Sequence, residues 1–290
     1  MFTGAYTAIA TPFRADGSFD EEAFRALIDR QAEAGVDGIV PVGTTGESPT
    51  LGMREHARVV ELAVEACRGR LKVIAGTGAN STSEAIELTQ HALEAGTDGT
   101  LQVTPYYNKP MQKGLIAHFS AVADLGLPVV LYNVPGRTSR EIAVETVAEL
   151  AGHPHIVAVK DAGGSVERVS KTLARCAITV LSGDDALTLP MMAVGAQGVI
   201  SVASNVIPGA VGRMVHAALD GKWPEACELH RRYYPLFEAL FFETNPIPVK
   251  AALAMLGCIE ETYRLPLTPM AADTRRALRN VMVNLELIDR

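Results

Sequence analysis

Eight short apolar segments, each followed by an amphipathic helical segment, occupy about the first 220 residues of this 290-residue chain and match the strand–helix unit of α/β proteins. Each segment is continuously apolar, which is typical of parallel strands covered on both faces. Eight such units predict a closed (β/α)8 TIM barrel. The predicted strands are 6–10, 38–42, 72–75, 100–103, 128–131, 156–159, 178–181 and 199–202.

The intervening helices are predicted near 20–34, 54–68, 82–95, 112–125, 141–151, 165–175, 185–194 and 207–219. A glycine motif recurs where three of these helices end: Glu33-Ala-Gly-Val-Asp-Gly38, Glu94-Ala-Gly-Thr-Asp-Gly99 and Ala193-Val-Gly-Ala-Gln-Gly198. We interpret the first glycine of each as the helix C-cap before the next strand. A doubly wound open sheet is the alternative, but it usually carries a phosphate-binding loop after its first strand.

The pattern beyond residue 220 is helical only, with predicted helices at 222–241, 246–257 and 271–286. No Ser/Gly-rich or charged linker precedes them. We therefore predict a barrel over 1–220 and a C-terminal helical extension over 221–290, packed on the barrel as one structural unit.

Charge and composition exclude several classes of function. The formal net charge of −7 argues against a nucleic-acid partner. No apolar run reaches the ~18 residues that a membrane span needs, and no signal-peptide pattern opens the sequence, so we expect a cytoplasmic protein without a membrane partner. The histidines and the four cysteines have no metal-ligand spacing, and a bound metal is not expected.

Polar residues collect just past the predicted strands, where the active site of such a barrel lies. These segments are 43–47, 76–80, 104–108, 132–137, 160–161, 182–185 and 201–205. The opposite strand ends carry turns without a comparable set of side chains. This asymmetry indicates an enzyme.

Lys160 ends an apolar run, and a lysine held away from water tends to lose its proton. A neutral amine beside a pocket can attack a carbonyl carbon and form a Schiff base. A strand-end lysine more often extends to solvent, so the residue alone leaves both interpretations open. Its placement with two tyrosine-bearing strand ends favours the reactive one. Lys250 and the other lysines fall on loops, helices or a strand start.

Other strand-end residues have equally open interpretations. The turn Gly43-Thr44-Thr45-Gly46 offers hydroxyl and N–H groups to a carboxylate, or it is a plain turn. Tyr132 is a proton shuttle or a structural tyrosine, and Arg137 clamps a carboxylate or is solvated. The segment 76–81 partly matches a dinucleotide fingerprint, but Ser81 replaces the third glycine and the segment follows the third strand. A dinucleotide-dependent oxidoreductase is therefore the least favoured of the alternative functions.

These motifs together resemble the dihydrodipicolinate synthase branch of the pyruvate-dependent class I aldolase family. The similarity runs along essentially the whole chain and rests on the segments 43–48, 73–78, 103–108, 131–135 with Arg137, 181–185 and 245–250. The Thr-Thr-Gly-Glu turn and the strand-end lysine are shared with sugar-acid lyases of the wider family. The Tyr106-Tyr107 pair, Arg137 and the segment 245–250 are more specific to the branch.

The resemblance implies a lyase that condenses pyruvate with L-aspartate 4-semialdehyde in lysine and diaminopimelate biosynthesis, without metal or organic cofactor. Lys160 would form the Schiff base, and Thr45 would hold the pyruvate carboxylate. Tyr132, Thr44 and Tyr107 would relay protons, with Tyr107 from a neighbouring subunit of a homotetramer. Arg137 would bind the aldehyde's carboxylate, and Gly183 and Ile200 would line the keto-acid pocket.

The resemblance also implies feedback inhibition by L-lysine at a subunit interface. The residues concerned are Ser48, Pro49, His56, Asn80, Glu84 and Tyr106. Met53 stands where inhibited relatives often have a histidine, so the strength of inhibition is open. Two alternative functions remain: a sibling lyase acting on N-acetylneuraminate or a 2-keto-3-deoxy acid, and a non-catalytic ligand-binding barrel.

Overall fold

The computed structural model describes residues 2–289 and contains a closed barrel of eight parallel strands. Each strand pairs with its neighbours in sequence order, and β8 pairs with β1. The strands are β1 Gly4–Thr7, β2 Gly38–Ile39, β3 Lys72–Gly76, β4 Gly99–Val103, β5 Val129–Asn133, β6 Ile156–Asp161, β7 Thr179–Ser182 and β8 Gly198–Ser201. The predicted (β/α)8 barrel is confirmed.

Helices connect the strands around the outside of the barrel. In chain order they are α1 Glu21–Glu33, α2 Met53–Cys67, α3 Thr82–Ala95, α4 Gln112–Ala123, α5 Pro135–Thr138, α6 Val144–Leu150, α7 Val166–Leu173, α8 Thr188–Ala193 and α9 Pro208–Leu219. Side-chain caps fix some of their starts: Asp20 accepts a hydrogen bond from the Ala23 N–H at 3.1 Å, and Ser165 accepts one from the Arg168 N–H at 3.2 Å.

The three recurring glycines follow the ends of α1, α3 and α8, as predicted. Gly35, Gly96 and Gly195 have φ angles of +74°, +82° and +113°. Only glycine adopts these angles without a steric penalty.

The first strand differs from the prediction of 6–10, since β1 spans Gly4–Thr7. The Ala8 and Ile9 N–H groups still donate to backbone carbonyl oxygens of neighbouring segments, but the Ala10 N–H donates to the Asn205 side chain at 3.1 Å. The apolar residues 8–10 are nevertheless buried. The sixth predicted helix also differs, because α6 begins at Val144. The Ile142 N–H there donates to the Asn133 side chain instead of a helical carbonyl.

The C-terminal extension consists of α10 Trp223–Ala239, α11 Ile247–Met255 and α12 Ala272–Asn284. Leu236, Leu278 and Met282 belong to the same buried apolar cluster as barrel residues such as Val129 and Val199. This packing agrees with an extension seated on the barrel, while the boundary at residue 220 stays a prediction. Across residues 2–289, no helix is long and apolar enough to cross a membrane.

Apolar side chains fill the barrel interior. They include Tyr6, Ile74, Leu101, Leu181 and Ile200, and Tyr132 packs with them at the end nearest the polar strand termini. The sheet closes where Gly4 pairs with Gly198. Gly198 has a φ of +147°, and a Cβ there would overlap the Gly4 carbonyl oxygen. Closure at this point therefore requires glycine.

Replacing Gly198 with alanine is expected to lower the free energy of unfolding by about 3 kcal/mol or more, because the methyl group meets fixed backbone at an unfavourable φ. Urea denaturation measures the change. Gly209→Ala in α9 is the control, since the nearest atom outside its own helix that a Cβ there would meet, the Ala34 carbonyl oxygen, lies 4.0 Å away. Equal stability of the two variants would contradict the role assigned to Gly198.

Candidate active site

A cavity of about 150 Å³ lies at the carboxyl ends of the strands. Polar residues from both the barrel and the C-terminal extension surround it. They are Thr44, Thr45, Tyr132, Arg137, Lys160, Gly183, Asp184 and Asn245. The structure thus brings together most of the strand-end residues singled out from the sequence.

The Lys160 side chain enters this cavity from β6 and is only 5% exposed. Its Nζ lies 4.3 Å from the centre of the Tyr132 ring, on the neighbouring strand. Burial lowers the pKa of Lys160 to about 7, with the Arg137 charge acting in the same direction and Asp185 opposing both. A substantial fraction of the amine is therefore neutral near pH 7.

Tyr132 and Thr44 lie together beside Lys160. Burial raises the pKa of Tyr132, while the Arg137 charge and a hydrogen bond with the Thr44 side chain partly offset the rise. The phenol consequently keeps its proton near neutral pH and can donate it. The pairing of Tyr132 with Thr44 matches two members of the expected proton relay.

The third member, Tyr107, lies away from the cavity. Its side chain is 91% exposed and its φ is +70°. It lines neither the Lys160 cavity nor the cavity beside it. Within one chain the relay therefore contains two of its three expected groups, and the contribution of Tyr107 from a neighbour stays a prediction.

The turn predicted to hold a carboxylate carries Thr45, and Asn245 contacts this residue. Asn245 Nδ2 donates to Thr45 Oγ1 at 3.1 Å, and both side chains are buried. The Asn245 carbonyl oxygen accepts a hydrogen bond from Arg137 Nη2 at 3.0 Å. Asn245 therefore links the Thr45 turn to the arginine across the cavity mouth.

Gly183 lies against Lys160, whereas Ile200 lies deeper. A Cβ at Gly183 would approach Lys160 Cε to 2.9 Å, so the absence of a side chain leaves room beside the amine. Ile200 is fully buried in the barrel interior and is absent from the cavity lining. Its predicted contribution through the backbone stays untested.

A second cavity of about 200 Å³ adjoins the first and shares Thr44, Tyr132 and Arg137 with it. Ser48, Pro49 and Tyr106, three of the six residues predicted for an effector site, line it. His56, Asn80 and Glu84 do not. His56 is buried and its Nε2 is hydrogen-bonded to the Gly76 carbonyl oxygen at 2.9 Å, while Glu84 is exposed on α3.

The glycines of the partial dinucleotide fingerprint serve packing. A Cβ at Gly78 would overlap the Val103 backbone nitrogen, and one at Gly76 would approach the Val42 carbonyl oxygen to 2.5 Å. Both glycines therefore permit contact between neighbouring strand ends. Over residues 2–289, no group of three His, Cys, Asp or Glu side chains is arranged to hold a metal ion.

Three buried residues near the site had no role assigned from the sequence. Asp185 accepts hydrogen bonds from the Ser201 hydroxyl and the Val202 and Ala203 N–H groups. Glu47 and Lys250 form a fully buried ion pair. These residues lie in segments that carry the family resemblance: Glu47 in 43–48, Asp185 in 181–185 and Lys250 in 245–250. Their hydrogen-bond and ion-pair partners are distant in sequence, so the segments alone do not reveal these contacts.

The fold and the buried strand-end lysine are those of a (β/α)8-barrel lyase. Residues 1–285 match the model of the dihydrodipicolinate synthetase family. The chain is 51% identical over 291 aligned positions to the 4-hydroxy-tetrahydrodipicolinate synthase of Pelobacter propionicus, covering 99% of this chain and 100% of that relative. The chain belongs to the dihydrodipicolinate synthetase family.

Two solved structures agree with this assignment. The chloride-inhibited dihydrodipicolinate synthase from Acinetobacter baumannii, complexed with pyruvate, is 43% identical with a TM-score of 0.98 and covers 99% of this chain and 100% of its own. The enzyme from Cyanidioschyzon merolae with lysine bound is 44% identical with a TM-score of 0.96, and the coverage is 99% of both chains.

The lowered pKa of Lys160 predicts how Schiff-base formation depends on pH. At pH 6 most of the amine is protonated, and by pH 8 about nine-tenths is neutral if the pKa is about 7. The initial rate at which borohydride traps the adduct of Lys160 with pyruvate should therefore rise between pH 6 and 8 and then level off. Peptide mass mapping measures the adduct, with the exposed Lys113 as the internal control. A rise confined to pH above 9 would contradict a buried, perturbed lysine.

Proposed function

We propose that this lyase condenses pyruvate with L-aspartate 4-semialdehyde through a Schiff base on Lys160. Its activity is that of a 4-hydroxy-tetrahydrodipicolinate synthase, the name carried by its relatives at about 50% identity. The observation that carries the proposed chemistry is the buried Lys160 amine, with its pKa lowered to about 7, in a cavity shared with Thr45 and Arg137. The proposal requires neither a metal nor an organic cofactor.

The first step uses the neutral amine as a nucleophile. Lys160 Nζ attacks the keto carbon of pyruvate, and loss of water gives an iminium ion. Thr45, held by Asn245, would receive the pyruvate carboxylate through its hydroxyl and the N–H groups of its turn. Gly183 leaves space beside the Lys160 chain for the bound keto acid.

Proton transfer then converts the iminium ion into a nucleophile. The positive nitrogen accepts electrons from the neighbouring carbon, so the methyl group loses a proton to give an enamine. The enamine carbon attacks the aldehyde, whose oxygen gains a proton. Tyr132, which is buried and hydrogen-bonded with Thr44, is the group placed to exchange these protons. Cyclisation and release of the product regenerate the Lys160 amine.

Arg137 is proposed to select the second substrate. Its guanidinium lines both cavities and is held by the Asn245 carbonyl oxygen at 3.0 Å. A planar guanidinium pairs well with a carboxylate at an exposed mouth. L-Aspartate 4-semialdehyde carries such a carboxylate, and a polyhydroxylated sugar acid would place hydroxyl groups there instead.

The cavity lined by Ser48, Pro49 and Tyr106 is proposed to bind L-lysine as a feedback inhibitor. Burial and the Glu84 carboxylate raise the pKa of Tyr106, which places an acidic group near this cavity. A carboxylate there suits the ammonium of a basic amino acid. The relative from Cyanidioschyzon merolae with lysine bound supports the choice of lysine as the ligand. We also propose a cytoplasmic location, in keeping with a biosynthetic role.

A coupled assay tests the choice of substrate. Pyruvate with L-aspartate 4-semialdehyde should give turnover, whereas N-acetylneuraminate and 2-keto-3-deoxygluconate should give at least about a hundredfold less, since an unpaired Arg137 lowers transition-state binding. Adding L-lysine to the same assay should lower the rate. Faster turnover of the sugar acids would reject the proposal, and insensitivity to millimolar lysine would reject its regulatory part.

Mixing inactive variants tests whether Tyr107 comes from a neighbouring subunit of the proposed homotetramer. Lys160→Ala removes the nucleophile of one site, and Tyr107→Phe removes the relay hydroxyl. If each site combines the Lys160 of one chain with the Tyr107 of another, a hybrid C2 dimer holds one complete site of its two, so an equal mixture with random pairing regains up to about a quarter of the wild-type activity. The control mixes Lys160→Ala with Lys160→Met, which should stay inactive. Failure of confirmed hybrids to regain activity would place Tyr107 outside the shared relay.

A further inference from the structure

Glu47 and Lys250 form an ion pair between the Thr44–Thr45 turn and the C-terminal extension. Both side chains are completely buried, and Lys250 Nζ donates to Glu47 Oε1. The ammonium also lies 4.3 Å from the centre of the Phe13 ring. Lys250 stands on α11, whereas Glu47 directly follows the turn.

The position of Glu47 is coupled tightly to the turn. Glu47 has a φ of +54°, and its N–H donates to the Thr44 carbonyl oxygen at 3.1 Å. The Thr11 hydroxyl donates to the Gly46 carbonyl oxygen at 2.7 Å. Movement of the Glu47 carboxylate would therefore be transmitted to the backbone that carries Thr44 and Thr45.

The extension holds the turn at a second point. Asn245, next to the residue that caps α11, donates to Thr45 Oγ1 at 3.1 Å. One turn of helix further along is Lys250. These two contacts attach one short stretch of the extension to Thr45 and Glu47, on either side of Gly46. The location of α11 therefore fixes the position and the orientation of the turn that carries Thr44 and Thr45.

Stability alone is a weak reason to bury such a pair. Removing two charges from water costs several kcal/mol, and apolar replacement of a buried pair is often neutral or stabilising. A salt bridge differs from an apolar contact in being directional, since it specifies a distance and an angle between two groups. Directionality matters here because the turn must present Thr45 to a small carboxylate.

We infer that Glu47 and Lys250 are positioning residues for the keto-acid carboxylate seat, acting through Thr44 and Thr45. The inference rests on the proposed function, because it assigns the pyruvate carboxylate to that seat. Neither residue lines the Lys160 cavity, so neither touches the substrate. Their loss should weaken pyruvate binding while leaving the Arg137 side of the site intact.

The decisive variant removes both charges at once. The single variants Glu47→Gln and Lys250→Met each leave one buried group unpaired, and both should lower the melting temperature. The double variant Glu47→Gln/Lys250→Met removes that penalty and should recover much of the lost stability. Its KM for pyruvate should nevertheless stay raised by about tenfold, with the KM for the aldehyde within about twofold of wild type.

A purely structural pair gives a different pattern. In that case the KM for pyruvate would return to the wild-type value together with stability in the double variant, and this result would overturn the inference. Glu47→Asp provides a second route if the double variant does not fold. It keeps both charges but shortens the carboxylate arm, and it should raise the KM for pyruvate in a folded protein. A wild-type KM for pyruvate in Glu47→Asp would overturn the inference as well.

The matched control is the ion pair between Arg275 and Glu261, which joins two segments of the extension at 2.7 Å. Arg275→Gln should leave both KM values unchanged. Borohydride trapping of wild-type protein with pyruvate distinguishes failure of the proposed function from failure of the positioning role. Without a wild-type adduct on Lys160 the proposed function fails, whereas a wild-type adduct with unchanged KM values in the variants removes only the positioning role.

Discussion

Burial of the Lys160 amine at the end of β6 is the interaction on which the site depends. Closure of the barrel removes the end of β6 from water, and the Tyr132 ring covers the amine at 4.3 Å. Desolvation disfavours the ammonium, which lowers the pKa of Lys160 to about 7. The Asp185 charge opposes this lowering of the pKa, although Asp185 forms no ion pair with Lys160. The amine therefore titrates near neutral pH.

The site is built jointly by the barrel and the extension. The barrel supplies Lys160, Tyr132 and the Thr44–Thr45 turn, each from a different strand end. Asn245 and Phe241, which line the same cavity, come from the extension. Asn245 contacts both Thr45 and Arg137, and therefore couples the two proposed carboxylate sites. The connection between α10 and α11 is consequently part of the cavity that Lys160 enters, so the extension does more than cover the barrel.

Local sequence patterns were sufficient for the barrel and for Lys160, but not for contacts between distant segments. A continuous apolar run that ends in lysine predicts a buried strand, and the tyrosine-bearing strand ends nearby favoured a buried amine over one that extends to solvent. The end of β1 was misplaced since residues 8–10 are buried without being paired as a strand. The partners of Lys250 and Asn245 lie 203 and 200 residues away, so no local pattern reveals them.

The two buried lysines show how surroundings divide their roles. Lys250 has its ammonium against the Glu47 carboxylate and the Phe13 ring, and it lines neither the Lys160 cavity nor the adjoining one. Within residues 2–289, Lys160 forms no salt bridge and opens onto a cavity of about 150 Å³. A carboxylate in contact stabilises the ammonium and occupies its hydrogen atoms, whereas an apolar wall favours the free lone pair. Burial is common to both residues, so the absence of a paired carboxylate and the access to a cavity are what distinguish Lys160 as the proposed nucleophile.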